Sequence, residues 1–488
     1  MATAAALALY AVLLAAAAMP IWRRPALALS VFVVGLAIHN AVMAAIYEAG
    51  LRGTSLTVVS AWKEILLGVA LLRVLRDAAV ARALPFRPGI ADALAAAFVI
   101  LVVAYALVPQ HALGGEAGRK AVALATRHDL VPVGAYFLGR SLRLGLADLR
   151  RLAWTLLGTA GFVAALGLVD VYAVPISWWR GNGVVDYFHK QLGYDYHGTG
   201  GLPENFVYNT GSEQHFLRRL VSTFLSPLAS GYLFLVALLV AAVGLRRRAV
   251  SVGLAVVAVA GLLFTFSRSS LVVLAGGLVV LAVLRRRVVW VTAAVVTIAV
   301  TIGWAHVFPS IGPTGSWTKS DLAYQRQYAK THPGAQPSSA TSENEPSIHS
   351  HLASLREGFR TMADHPQGYG LGNVGQTASR TGTQLKAGES NYTELGVELG
   401  VVGAVLWTLW NLTVLAGLVR TARAREELAG WAAGFAAAFA AILALAIQTD
   451  VIGDPWVAYC IWILGGALAA PFAFRAPVRA PEPVPSRR

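Results

Sequence analysis

Between residues 349 and 403 the chain lines up side chains suited to holding an anion and moving a proton. His349, Arg356 and Arg360 stand at i, i+7 and i+11, one edge of a helix read over 349–363, and Leu352, Leu355, Phe359 and Met362 form its apolar stripe. Guanidiniums so placed grip phosphate oxygens two at a time, and the stripe suits a membrane surface. The helix runs into Asp364-His365-Pro366-Gln367-Gly368-Tyr369-Gly370-Leu371-Gly372, where proline stops it and the glycines permit tight turns and close backbone approach to a ligand. Glu389-Ser390-Asn391-Tyr392 follow, then Glu394 and Glu398 enter an apolar run that holds Gly396, Gly400 and Gly403. A carboxylate at a helix entrance suits general base work, which makes Glu389 the candidate base. Glu394 reads instead as a favourable acidic start to a membrane helix.

Three more arginines stand apart from this stretch. Arg218 and Arg219 precede Ser222-Thr223-Phe224, and Arg268 lies within Phe264-Thr265-Phe266-Ser267-Arg268-Ser269-Ser270. Either they bind an anionic group or their long stems carry the charge to a membrane surface. Tyr172, Trp178, Trp179, Tyr187, Phe188, Tyr194 and Tyr196, with His189 and His197, offer rings on which sugars stack, although an interfacial aromatic belt accounts for the tryptophans better.

What positions these groups is a membrane. The 488 residues are 56% hydrophobic and only 13% charged, which is too apolar for a soluble globule, and mean hydropathy is +0.60. The net charge of +15 comes from short basic clusters between apolar runs, so it reads as a topology signal and implies no nucleic-acid partner. Cys460, the one cysteine, has no mate for a disulfide or a metal site. Nor does any histidine or carboxylate spacing suggest a metal or cofactor.

About thirteen apolar runs can be drawn, from roughly 3–20 to roughly 456–474. The fifth, near 121–139, carries Arg127, His128 and Asp129 at membrane depth, tolerable only where they face the protein interior or water; read as re-entrant, it leaves twelve spans. The chain therefore reads as an all-α polytopic membrane protein with a large extracytoplasmic loop before its last three helices. Seven basic groups, Arg23/Arg24, Arg73–Arg87, Arg140–Arg151, Arg246–Arg248, Arg285–Arg287, Arg420–Arg425 and Arg475–Arg488, fall on alternate loops. That places them in the cytoplasm, the N-terminus outside and the C-terminus inside. The organisation expected is helices and a first outer loop over 1–208, central helices over 209–308, the large loop over 309–394, the last helices over 395–474 and a cytoplasmic tail over 475–488.

Three separated stretches resemble the O-antigen ligase and polymerase superfamily of bacterial cell-surface polysaccharide assembly. Arg219 through Phe224 with Pro227 is similar to the family's arginine followed by a Gly-Thr-Phe-like turn, and Phe266-Ser267-Arg268-Ser269-Ser270 to its Ser-Arg helix start. Arg356 through Asp364-His365-Pro366 to Gly372 resembles its arginine helix ending in an Asp-His-Pro-x-x-Gly-x-Gly turn. Glu389-Ser390, at the family's spacing before Gly400-Val401-Val402-Gly403, stands where a histidine is expected, with Tyr392, Glu398 and Leu399 also matching.

The resemblance implies an inverting, metal-independent glycosyltransferase of the bacterial plasma membrane, acting on the outer face. It implies a polyprenyl-pyrophosphate-linked glycan as donor, a glycan or lipid as acceptor, and contact with membrane lipids and other assembly proteins. Arg219, Arg268, Arg356 and Arg360, with His349 and Arg218, would steady the leaving pyrophosphate. Glu389 would deprotonate the acceptor, beside a loop made by Asp364, His365, Gly370, Gly372 and Tyr392. The glutamate in place of histidine favours a polymerase over a ligase. Charges along helix midplanes would instead mark a lipid-linked oligosaccharide flippase or transporter; a non-enzymatic assembly partner is the third reading.

Overall fold

A computed structural model of the chain describes residues 2–194, 202–203, 205–210, 212–245, 248–331, 346–386, 390–424 and 427–469. The first half holds α1 (Ala2–Arg23), α2 (Leu27–Glu48), α3 (Gly53–Ser60), α4 (Trp62–Ala81), α5 (Ile90–Leu107), α6 (Arg119–Ser141), α7 (Leu146–Ala173) and the short α8 (Ile176–Gly181) and α9 (Val184–Asp186). The second holds α10 (Pro227–Gly244), α11 (Ala249–Phe264), α12 (Arg268–Arg285), α13 (Val288–Ile311), α14 (Lys319–Thr331), α15 (Pro346–Asp364), α16 (Gly375–Thr381), α17 (Asn391–Arg423), α18 (Ala429–Leu445) and α19 (Pro455–Ala469). A small antiparallel sheet, β1 (Val207–Tyr208), β2 (His215–Arg218) and β3 (Thr314–Ser316), ties the two long polar segments together.

The chain is an all-α polytopic membrane protein. Among the described residues eight helices, α1, α2, α5, α7, α10, α12, α13 and α17, are long and apolar enough to cross a bilayer, and α11, α18 and α19 are shorter apolar helices. The run near 56–72 is split between α3 and α4, and the fifth run folds as α6; α4 and α6 carry Lys63, Glu64, Arg127 and Asp129. The described parts of the expected runs thus fall on helices. Helices α1 and α13 turn Leu9, Val12, Val295 and Ile302 outward, each more than half exposed, as lipid-facing surfaces do.

At the centre, α19 is buried nearly throughout and packs on α6 with almost no gap. A Cβ on Gly139 would lie 2.0 Å from the Ile463 carbonyl oxygen, and one on Gly466 2.2 Å from that of Tyr136, so only glycine allows the two backbones to meet. Trp407, Trp410 and Trp462 cluster beside this seam, with ring centroids 5.2–6.4 Å apart. The Trp462 indole N–H donates to Asn411 Oδ1 at 3.1 Å.

The basic helix ends converge on one face. Arg24 reaches Asp148, Arg73 reaches the Trp22 carbonyl, and Arg140 donates to the Arg87 carbonyl. Within that face Arg140 holds Asp92 with both arms of its guanidinium, at 2.8 and 3.0 Å, while Tyr136 donates to the same carboxylate at 2.8 Å. The opposite face carries the long segments 174–226 and 312–390 and is called the loop face below. Helix α18, with 17 residues, spans only about 26 Å, less than the roughly 30 Å hydrocarbon core. Segment 446–454, which leads from it into α19, therefore ends short of the loop face, and its polar groups must be met inside the protein.

Because both members of the Arg140–Asp92 pair are buried, removing one strands the other. Asp92→Leu should lower stability by about 3–5 kcal/mol and Arg140→Lys by less, read as melting of the detergent-solubilised protein. Equal melting of Asp92→Leu and wild type would show that the pair does not hold this face together.

Candidate functional site

The glycine-rich turn fills a break in a membrane helix. At Gly400 φ is +72°, so α17 is not helical there and its backbone groups lose their partners. The chain after α15 replaces them. Tyr369 N–H donates to the Val397 carbonyl at 2.7 Å, Gly370 N–H to the Glu398 carbonyl at 2.9 Å, and Val401 N–H to the Pro366 carbonyl at 2.9 Å. Gly368 and Gly370 reach this geometry with φ of +77° and +89°, conformations that L side chains disfavour. A Cβ on Gly368 would sit 2.4 Å from Gly400 N, and one on Gly400 2.4 Å from the Pro366 oxygen. The Glu398 carboxylate accepts from Gly372 N–H at 2.7 Å. His365 stacks on Tyr369 at 4.0 Å and donates to the Leu113 carbonyl.

Beside this plug lies a polar pocket built from α4, α6, α16 and segment 446–454. Lys63, Glu64, Arg127, His128, Gln376, Arg380 and Asp450 line it, together with apolar residues that include Leu124 and Ile452. The charges that looked costly in α6 face inward: His128 Nδ1 lies 2.9 Å from Asp129 Oδ1, and Nε2 lies 3.2 Å from both oxygens of Asp450. Asn391, the first residue of α17, donates to Asp450 Oδ1 at 2.6 Å and accepts from Val451 N–H at 2.8 Å. Gly453 N–H donates to Asp450 as well, at 2.8 Å. Glu394 and Glu398 are buried in α17 next to this group.

Asp450 is thus met by His128, Asn391 and the Gly453 N–H. Asp454 caps α19, accepting from Trp456 N–H at 2.8 Å.

At the rim, Arg127 lies 3.4 Å from Glu64 with its side chain 46% exposed, while Lys63 lies 3.7 Å from Glu64 and 3.4 Å from His39. Arg380 donates to the Leu192 carbonyl at 2.8 Å and stands over the Tyr194 ring at 5.2 Å. Tyr194 donates in turn to Gln376 at 2.8 Å. One of the aromatics read as sugar-stacking is therefore part of the pocket's edge.

The arginines chosen from the sequence fall elsewhere. Arg218 is buried against Asp170 at 3.4 Å and donates to the carbonyls of Val171 and Val174. Arg219 donates to the Thr265 carbonyl at 2.8 Å and to Asn205 at 3.2 Å. Arg268 lies 5.8 Å from the Tyr208 ring centroid and 5.9 Å from that of Phe266. These three gather around β2 and the α11–α12 turn and do not line the pocket. On α15, Arg356 is exposed, and Arg360 is 85% exposed near Asp364 at 3.9 Å. The stripe divides: Met362 packs on α17 against Val397, while Leu352 and Phe359 stay exposed. Tyr392 donates to the Leu443 carbonyl at 3.2 Å. Glu389, Tyr196, His197, the 475–488 tail and the side chain of His349 lie outside the described residues.

Lys63, Arg380 and Asp450 were not singled out from the sequence. A signal existed for one of them, since Lys63 interrupts an apolar run where a charge needs a reason to be, whereas Asp450 falls between the last two runs. Arg380 carries no such mark.

Fold and site together define a class: a polytopic helical membrane protein with a charged pocket sunk below its loop face. Residues 253–408, about a third of the chain, match the model of the O-antigen ligase family, and that stretch is similar to the family. No curated protein matches the chain. The matched stretch contains the plug and the break at Gly400 but neither Lys63, Arg127 to Asp129, nor Asp450.

If the plug is what closes α17, Gly368→Ala and Gly400→Ala should each cost about 1–3 kcal/mol, and more where the backbone cannot shift. Gly253→Ala, at a helical position with nothing within 4 Å of its Cβ, should leave stability unchanged or raised. Thermal melting in detergent reads all three, and three equal melting points would refute the assignment.

Proposed function

We propose that the chain is a bacterial membrane glycosyltransferase that moves glycan from a polyprenyl-pyrophosphate donor to an acceptor hydroxyl in the pocket of Lys63, Arg127 and Arg380. The observation that carries this reading is that pocket, where three cations line one cavity together with the carboxylates of Glu64 and Asp450. In the transfer the acceptor oxygen forms a bond to the anomeric carbon as the bond from that carbon to phosphate oxygen breaks. The electron pair leaves with the pyrophosphate, and the hydroxyl proton passes to a base. Charge develops on the departing pyrophosphate, where preplaced guanidiniums are worth most. The planar forks of Arg127 and Arg380 suit two phosphate oxygens each, and Lys63 adds a point charge. Arg356 and Arg360, on an exposed helix with an apolar stripe, suit guiding the donor's head group along the membrane surface.

The basic helix ends favour an N-terminus outside and the loop face away from the cytoplasm. Glutamate at position 389, where the resembling family carries histidine, favours polymerisation over ligation.

The test is deletion of the gene in its host, with surface polysaccharide profiled by gel and complementation by wild type, Arg127→Gln and Arg127→Lys. Loss of long chains with accumulation of single-repeat glycan, restored by wild type alone, supports the polymerase. Arg127→Lys should still fall about tenfold short, because a bidentate grip needs the fork. Unchanged chain length on glycan that no longer reaches its anchor points to a ligase. An unaltered profile removes the transferase reading.

A further inference from the structure

Resting on the transferase reading, we propose that Asp450 is the proton acceptor of the reaction, the pocket-facing end of a relay that runs through His128 to Asp129. The three side chains form one hydrogen-bonded line from the pocket into the protein. Asp450 lines the pocket, and its Oδ1 is taken by Asn391 and Gly453, whereas Oδ2 is met by His128 alone among the described residues. His128 lies between two carboxylates, so both of its nitrogens donate, the arrangement of an imidazolium. Asp129 ends the line fully buried, with Oδ1 on His128 and Oδ2 meeting no hydrogen-bond partner among the described residues. A buried carboxylate oxygen without a donor is costly when ionised and is relieved by taking up a proton.

The step balances in atoms and charge. The acceptor O–H breaks and its proton goes to Asp450 Oδ2 as the new oxygen–carbon bond forms and the pyrophosphate leaves with its electron pair. The imidazolium then passes its Nδ1 proton to Asp129 Oδ1. Asp450, His128 and Asp129 all end neutral, so no charge is left buried at membrane depth, and release of one proton resets the line. This places proton acceptance at Asp450, held by Asn391 at the head of α17, and not at Glu389. It also puts the base outside the stretch that matches the O-antigen ligase family.

The full-length chain in lipid nanodiscs is supplied with the lipid-linked glycan extracted from the deletion strain, and turnover and donor KM are measured. Asp450→Asn is expected to lower turnover about 100-fold with KM unchanged and Asp450→Glu to recover part of it. Asp129→Asn should lower turnover about tenfold, again with KM unchanged, because the relay then has no terminus. Wild-type turnover in Asp450→Asn overturns the proposal. So does a loss confined to Glu389→Gln, or a loss in Asp450→Asn that comes with an equal rise in KM and is not recovered by glutamate. Where Asp450→Asn does not accumulate, Asp129→Asn decides, and wild-type turnover there overturns the relay. A wild-type chain that transfers nothing refutes the transferase reading and this inference with it, whereas active wild type beside unaffected variants refutes the relay only.

Discussion

Hydrocarbon tolerates no unpaired backbone, and the arrangement of this protein follows from how that rule is met where α17 breaks. Val397, Glu398 and Val401 lose helical partners around Gly400 and recover them from Pro366, Tyr369 and Gly370. Those bonds bring the end of α15 against α17 and place Glu398 where its carboxylate meets Gly372 N–H. They also set the bearing of the start of α17, so that Asn391 meets segment 446–454. The two glycine-containing stretches, 366–372 and 400–403, are thus halves of one joint, although 27 residues separate them.

The second constraint is electrostatic. Charges at membrane depth need partners, and the helices supply them across the bundle: Asp129 and Asp450 for His128, Glu64 for Arg127 and Lys63, Asp92 for Arg140. The Arg140–Asp92 pair is saturated and serves packing. The pocket group is not, because Asp450 lines the cavity and Asp129 keeps an oxygen with no partner among the described residues. That difference in satisfaction separates a structural ion pair from a group free to do chemistry.

Much of this was legible in the sequence. Apolar runs fixed the helices because a bilayer sets their length, and the turn from Asp364 to Gly372 was recognisable by its proline and glycines. What the sequence does not show is that Gly368 of this turn lies against the backbone of α17 at Glu398 and Gly400. Arg127, His128 and Asp129 stood out as misplaced charges, and the fold supplies the reason they are tolerated. Arg218 and Arg219 broke the basic-face pattern and so looked like ligand groups, but Asp170 and backbone carbonyls occupy them. No local pattern relates Asp450 to His128 across 322 positions, or Arg380 to Leu192 across 188. Such pairings arise only when helices distant in sequence are packed side by side.

The shortness of α18 bears on traffic within the membrane. A helix about 26 Å long in a hydrocarbon layer about 30 Å thick leaves a notch only about 4 Å deep over the segment that carries Asp450 and Gly453. An amphiphile anchored by a long apolar tail would need to sink its polar head by no more than the height of a few methylenes. Its tail could stay among neighbouring lipids of the same leaflet throughout. The protein would then act at the head-group boundary without carrying anything across the bilayer.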